Sequence, residues 1–186
     1  MNMNQKAKGN NNTQVAIENF NSNVNNISSI IANVLPNVSS IVSSDETLEN
    51  DTTAYQIDDK ITHNNLRTFN EIIDEYGEYG QKIDDLYNEF DNSQPGFRKN
   101  VFKYFRTKYL LKKERLCSEA PDEETIEVIR KNSDKVIRDI FEEFKSEILK
   151  SNNLTINLEE VETCALAVTC HAFINCKILE KPASDN

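Results

Sequence analysis

Three of the four cysteines and one of the two histidines fall in one stretch, "CALAVTCHAFINCKILEKP", Cys164 to Pro182. Thiolates and imidazoles are metal ligands, nucleophiles and general bases, so chemistry would concentrate here. The spacing does not serve that chemistry. The order is Cys164, five residues, Cys170, His171, four residues, Cys176. On a helix, Cys170 would lie about 240° and Cys176 about 120° around from Cys164, so the sulfurs divide the circumference into thirds. No two of these four groups are three or four residues apart, the separation that sets side chains beside each other. His171 shares a face with Cys164 but lies about 10 Å further along the axis. Zinc sites are built on closely spaced cysteine pairs, which this chain lacks, and Cys117 sits at a distant joint. A Cys–His pair could form between helices, with His63 as the second imidazole, yet no oxyanion hole or orienting third group accompanies it. The expectation is no catalytic residue, no metal and no cofactor. Leu166, Val168, Cys170, Ala172, Phe173, Ile174, Ile178 and Leu179 point in nearly every direction, which predicts the central helix of its domain. Cysteine there acts as a small hydrophobe, and His171 is expected to be hydrogen-bonded and partly buried.

Other constellations are weaker. Asp58, Asp59 and His63 have helical spacing for two ligands but fit a solvated helix start. The acid pairs Asp84/Asp85 and Glu142/Glu143 read as solvated faces. No phosphate-binding glycine loop, nucleophile elbow or EF-hand loop is present.

The elements that must position these groups read as helices. Phe69, Tyr76, Ile83 and Phe90 recur every seven residues, as do Leu66, Ile73, Gly80 and Tyr87. This predicts one long amphipathic helix from about 58 to 90, with Gly80 allowing a close helix approach. A second helix, about Phe97 to Leu116, turns Phe97, Val101, Phe102, Phe105 and Tyr109 inward. Pro121 suits the first turn of a third, which carries Ile126 to Ile148 and could loosen at "RKNSD". Asn157 and Glu160 have capping-box spacing, with Ile156 and Val161 as a hydrophobic staple, so a fourth runs from Leu158 to near Leu179. The fold class expected is all-α: a four-helix bundle-like domain over 55–186, preceded by an Asn/Ser-rich N-terminal arm over 1–54.

The arm carries an apolar series at Ile17, Phe20, Val24, Ile27, Ile31, Val34, Val38 and Ile41, spaced alternately three and four. This seam favours a narrow-faced helix, although Asn and Ser are weak helix formers and Pro36 must break or kink it. A floppy arm, a segment that folds on a partner or on another copy of the chain, and a strand in an Asn-rich context all remain open.

Charge is uneven. Between Arg98 and Arg115 eight bases face one acid, giving +7 and leaving −17 on the rest of a chain of net charge −10. Such asymmetry points to a partner of opposite charge or to self-association, and it disfavours whole-surface nucleic-acid binding. Lys99, Lys103, Arg106 and Lys113 share one face of the basic helix. A solvated face, an acidic protein partner and nucleic acid are the three readings. No secretory signal or membrane span is recognisable, and four cysteines without a signal suggest a reducing, cytoplasmic setting.

The segments "KITHNNLRTFNEIIDEYGEYGQKIDDLYNEF", Lys60 to Phe90, and "HAFINCKILEKP", on either side of the basic helix, resemble the C-terminal helical domain of bacterial ABC-three component systems. These are predicted defence systems to which the Lamassu antiphage systems are related. The matching positions include Lys60, Asn64, Asn65, Leu66, Ile73, Lys82, Ile83 and Tyr87, and then Phe173, Cys176, Lys177, Leu179, Glu180 and Pro182. The resemblance implies a tethering module that couples an effector enzyme to an ABC-type or SMC-like ATPase sensor. Such a domain usually follows an effector, whereas here only the arm precedes it, which implies a stand-alone accessory subunit. The expected function is therefore a non-enzymatic adaptor with protein partners. Its contact candidates are Lys99, Lys103, Arg106 and Lys113 on the basic helix and Ile17, Phe20, Val24, Ile27 and Ile31 on the arm, through which copies could also associate. The alternative is a small nucleic-acid-binding protein acting through 98–115.

Overall fold

The last long helix, Leu158–Ile174, begins where the sequence predicts, because Asn157 and Glu160 cap it reciprocally. The Asn157 side chain accepts from the Glu160 N–H at 2.9 Å, and the Glu160 carboxylate accepts from the Asn157 N–H at 3.0 Å. It is the seventh helix, α7, of a computed structural model that describes residues 34–43, 51–151, 156–175 and 177–182, with the backbone alone for 51–56. The others are α1 (34–42), α2 (Asp51–His63), α3 (Asn70–Gly77), α4 (Gly80–Ser93), α5 (Phe97–Glu119) and α6 (Thr125–Leu149). Among the described residues there is no strand. The domain is all-α.

Helix α7 lies at the centre and packs against α3, α4, α5 and α6. Cys164, Ala165, Ala167, Val168, Thr169, Cys170, Ala172 and Phe173 are buried around its whole circumference. An apolar surface on every side needs neighbours on every side, and the order of the helices supplies them. The expected staple residues meet the same core: Val161 is buried within the core and Ile156 packs against the core from its edge. The helix ends at Ile174, short of the expected Leu179, and the chain continues as an irregular tail whose Ile178 and Leu179 are fully buried.

The single helix expected over 58–90 is three helices. After α2 the backbone makes a helix-ending turn at Asn65, whose φ is +53°. The Asn65 N–H donates to Thr62 O and the Leu66 N–H to Ile61 O, both at 3.1 Å, the paired bonds of a left-handed helix terminus. Asn tolerates this conformation better than other non-glycine residues. The second break is at Glu78–Tyr79. The seven-residue period survives both breaks because it records which side chains face the core. The glycine expectation also changes: a Cβ at Gly80 would meet nothing, whereas one at Gly77 would lie 3.5 Å from Ile174 and 3.8 Å from Ile57. Asp58, Asp59 and His63 therefore lie in the last turns of a helix rather than at its start. Pro121 precedes the first turn of α6 by four residues.

Helix α6 is continuous through "RKNSD". Asn132 returns its side chain to Val128 O at 2.8 Å, and Asp134 reaches across to α3. One Asp134 oxygen accepts from the N–H groups of Thr68 and Phe69, each at 3.0 Å, and the other from Arg67 at 3.2 Å. A carboxylate placed just ahead of a helix satisfies the backbone donors of the N-cap and the two residues before it, which have no helical partner. Burial works against the Asp134 charge, but these backbone donors outweigh it and hold its carboxyl below the usual range. A depressed folded value gives stability that is present above the ordinary carboxylate range and lost as pH falls through the folded value. Thermal melting should therefore drop on acidification from neutrality. The drop should be smaller in Asp134→Asn, which is already destabilised at neutral pH, and melts of both proteins across pH would show it.

Helix 34–42 packs onto the same core, with Val34, Leu35 and Val38 buried. Pro36 lies within it, and the helical pattern extends to the Ser43 N–H bond to Ser39 O at 2.9 Å. This stretch lies in the segment read as an arm. Ile17, Phe20, Val24, Ile27 and Ile31 lie outside the described residues.

Candidate functional site

The two segments that carry the resemblance meet in space. Asn64, at the end of α2, is fully buried and faces the tail after α7. Its side-chain amide donates to Lys60 O at 2.9 Å and to Glu180 O at 2.8 Å, and its oxygen accepts from the Glu180 N–H at 3.0 Å. Asn64 thus pairs with both backbone groups of Glu180, as a neighbouring strand would. The adjacent Leu179 is held at φ +63° with no exposure. A left-handed leucine costs about 1–2 kcal/mol and persists where surrounding contacts over-determine it.

Around this pairing lie two more contacts. The Lys60 ammonium, 2% exposed, donates to the Phe173 carbonyl and sits 4.1 Å from the Phe173 ring centroid. A buried ammonium is tolerated only with partners, and the end of α7 provides a terminal carbonyl and a π face. The Glu180 carboxylate accepts from Tyr109 Oη at 2.5 Å and Lys113 Nζ at 2.6 Å, both on α5. Burial disfavours its charge, but Lys113 and Tyr109 prevail and hold the carboxyl below its usual range. The tail is thereby tied to α2 through its backbone and to α5 through its side chain.

A second polar group sits where α4, α5 and α7 meet. His171 is 1% exposed, deeper than the sequence suggests. Its Nε2 lies 2.9 Å from an Asp84 oxygen that also receives Arg98 at 2.7 Å. Tyr87 meets the imidazole edge-on at 5.1 Å and Phe102 stacks on it at 5.7 Å. With the carboxylate as acceptor, Nε2 carries the proton. Asp84, read as part of a solvated face, is instead the partner of a core histidine. Burial raises its carboxyl, and the His171 bond together with Arg98 brings it below the usual range. Period counting could not reveal this, because Asp84 and His171 are 87 residues apart.

Among the described residues the cysteines do not gather, and Cys176 lies outside them. Cys164 points to Leu35 O at 3.6 Å and Cys170 to Ile72 O at 3.9 Å, on different sides of α7. Burial pushes both thiols up to about 12, helped at Cys164 by Glu160. Among the described residues no group of three or more His, Cys, Asp or Glu could hold a metal ion. In the native protein at pH 8, Cys117, half-exposed, should react with iodoacetamide while Cys164 and Cys170 stay unmodified until the chain is unfolded. Peptide mass spectrometry after timed labelling reads the three sites separately. Rapid native labelling of either α7 thiol would contradict the packing.

The basic helix is divided. Lys108 pairs with Glu147 at 2.7 Å, Lys112 with Glu143 at 2.5 Å and Lys113 with Glu180 at 2.6 Å. Lys99 and Lys103 are exposed, and Arg106 is half-buried with its guanidinium 5.3 Å from the Tyr109 ring. Of the four expected contact residues on this helix, Lys113 is therefore engaged inside the chain. Much of the positive charge that stands out in the sequence is answered by α6 and by the tail.

No curated protein and no solved structure matches the chain significantly. Residues 29–180 match the family described as C-terminal domain 10 of the ABC-three component (ABC-3C) systems. The match spans both polar contacts and helix 34–42, and it ends at Glu180, the residue held by Asn64. The chain belongs to this family of ABC-3C C-terminal domains.

Proposed function

We propose that this chain is a non-enzymatic accessory subunit that couples an effector enzyme to an ABC-type or SMC-like ATPase in a bacterial antiphage system of the Lamassu kind. The observation that carries the reading is its membership of the ABC-3C family over residues 29–180, which implies protein partners. The disposition of the polar residues supports it: Lys60, Asn64, Asp84, His171 and Glu180, the groups best suited to chemistry, hold helices together. Surface residues are left for partner contact, Lys99, Lys103 and Arg106 on α5 among them. The seam from Ile17 to Ile31 is assigned to a partner or to a second copy of the chain. No helix among the described residues is long and apolar enough to cross a membrane, and the cytoplasm is the setting this reading assigns. Co-expression with the products of the flanking genes, followed by native mass spectrometry, should give a complex containing an ATPase subunit. A chain that remains alone in the presence of all of them would overturn the reading.

A further inference from the structure

The cations of α5 fall into two sets. Arg98, Lys108, Lys112, Lys113 and Arg115 each reach a carboxylate of the same chain. Lys99, Lys103 and Arg106 make no direct ion pair among the described residues, and neither does Lys177 of the tail. These four are gathered. Positions 99, 103 and 106 follow one side of α5 over two turns. Lys177 comes to the same place from the tail, its Nζ 4.9 Å from the centroid of Phe102. Phe102 is half-buried, backed by the His171 ring, with the Lys177 ammonium and the Arg98 guanidinium set over it. The nearby acids are engaged, Asp84 by Arg98 and His171, and Glu180 by Tyr109 and Lys113 with Arg106 adding to the field at its carboxylate. A local positive surface with an aromatic centre therefore stands on a chain of net charge −10.

That contrast selects the occupant. A nucleic acid carries a phosphate charge about every 1.7 Å of duplex and would have to run on over the acidic remainder of the chain. A protein segment with a few carboxylates beside an apolar side chain can end where the patch ends. We infer that the edge formed by Lys99, Lys103, Arg106, Phe102 and Lys177 docks an acidic, partly apolar segment of another subunit of the same system. This inference rests on the adaptor reading and narrows it to one surface and one partner chemistry.

The test uses the tagged full chain co-expressed with the subunits encoded beside it. A patch variant, K99E/K103E/K177E, is compared with a control of equal charge change, K131E/K135E/K150E. The inference expects wild type and control to recover the same subunit and the patch variant to recover at least about ten-fold less, with its melting temperature unchanged. Equal recovery by the patch variant overturns it, as does equal loss in the control, which would signify net charge alone. A wild-type chain that recovers no subunit removes the adaptor reading and this inference together. A labelled single-stranded or duplex oligonucleotide is the remaining arm. Binding at about 0.15 M salt that the patch variant loses would assign the surface to nucleic acid and overturn the protein occupant.

Discussion

Replacing Asn64 by alanine should destabilise the domain by about 3 kcal/mol, and more than any exposed polar substitution. The side chain makes three hydrogen bonds from a fully buried position, two of them to the backbone of Glu180. Its removal leaves the Glu180 N–H and C=O without partners beside a left-handed Leu179 that already stores strain. Orphaned buried groups cost about 1–3 kcal/mol each. In a domain of this size that amounts to a melting temperature lower by roughly 6–12 °C. Asn64→Asp should be no milder, because the oxygen that replaces the amide nitrogen faces the carbonyls of Lys60 and Glu180. Denaturant unfolding of the three proteins measures the effect. A change below about 1 kcal/mol would mean that the tail is not held by this residue.

The second large effect is expected at Phe173. The ring is fully buried at the end of α7 and forms the surface over which the Lys60 ammonium sits. Phe173→Ala should cost about 3–5 kcal/mol, since it opens a cavity and removes the π face from a buried cation. Part of that loss belongs to the pair. A double-mutant cycle with Lys60→Met, which keeps an apolar chain of similar length, should show non-additivity of about 1 kcal/mol or more. Additive losses would reduce the contact to simple packing.

Which parts of this arrangement could be read in advance follows from the range of the signals. The start of α7 is local: Asn157 and Glu160 lie three residues apart, and each satisfies the other's backbone. The central position of α7 follows from its unbroken apolar circumference. The breaks at Asn65 and at Glu78–Tyr79 are hidden, because a seven-residue period continues across a turn when both sides face one core. Long-range polar pairs are hidden more completely. Lys60 looks like one surface lysine among many until Phe173 is placed beside it. Asp84 resembles Asp85 until His171 arrives from α7. The excess of bases on α5 was plain in the sequence, but its compensation by Glu143, Glu147 and Glu180 required the helices to be packed.

The central claim is that Asn64, at the end of α2, and the tail after α7 recognise each other and lock the fold. The amide of Glu180 reports on it most directly, since that N–H lies in an irregular segment and its partner is a side chain on α2. Native-state hydrogen exchange, followed residue by residue, should find Glu180 protected to nearly the same degree as Ala165 and Val168 in the middle of α7, with the protection lost in Asn64→Ala. Exchange of the Glu180 amide at the rate of an open chain, while α7 remains protected, would contradict the account.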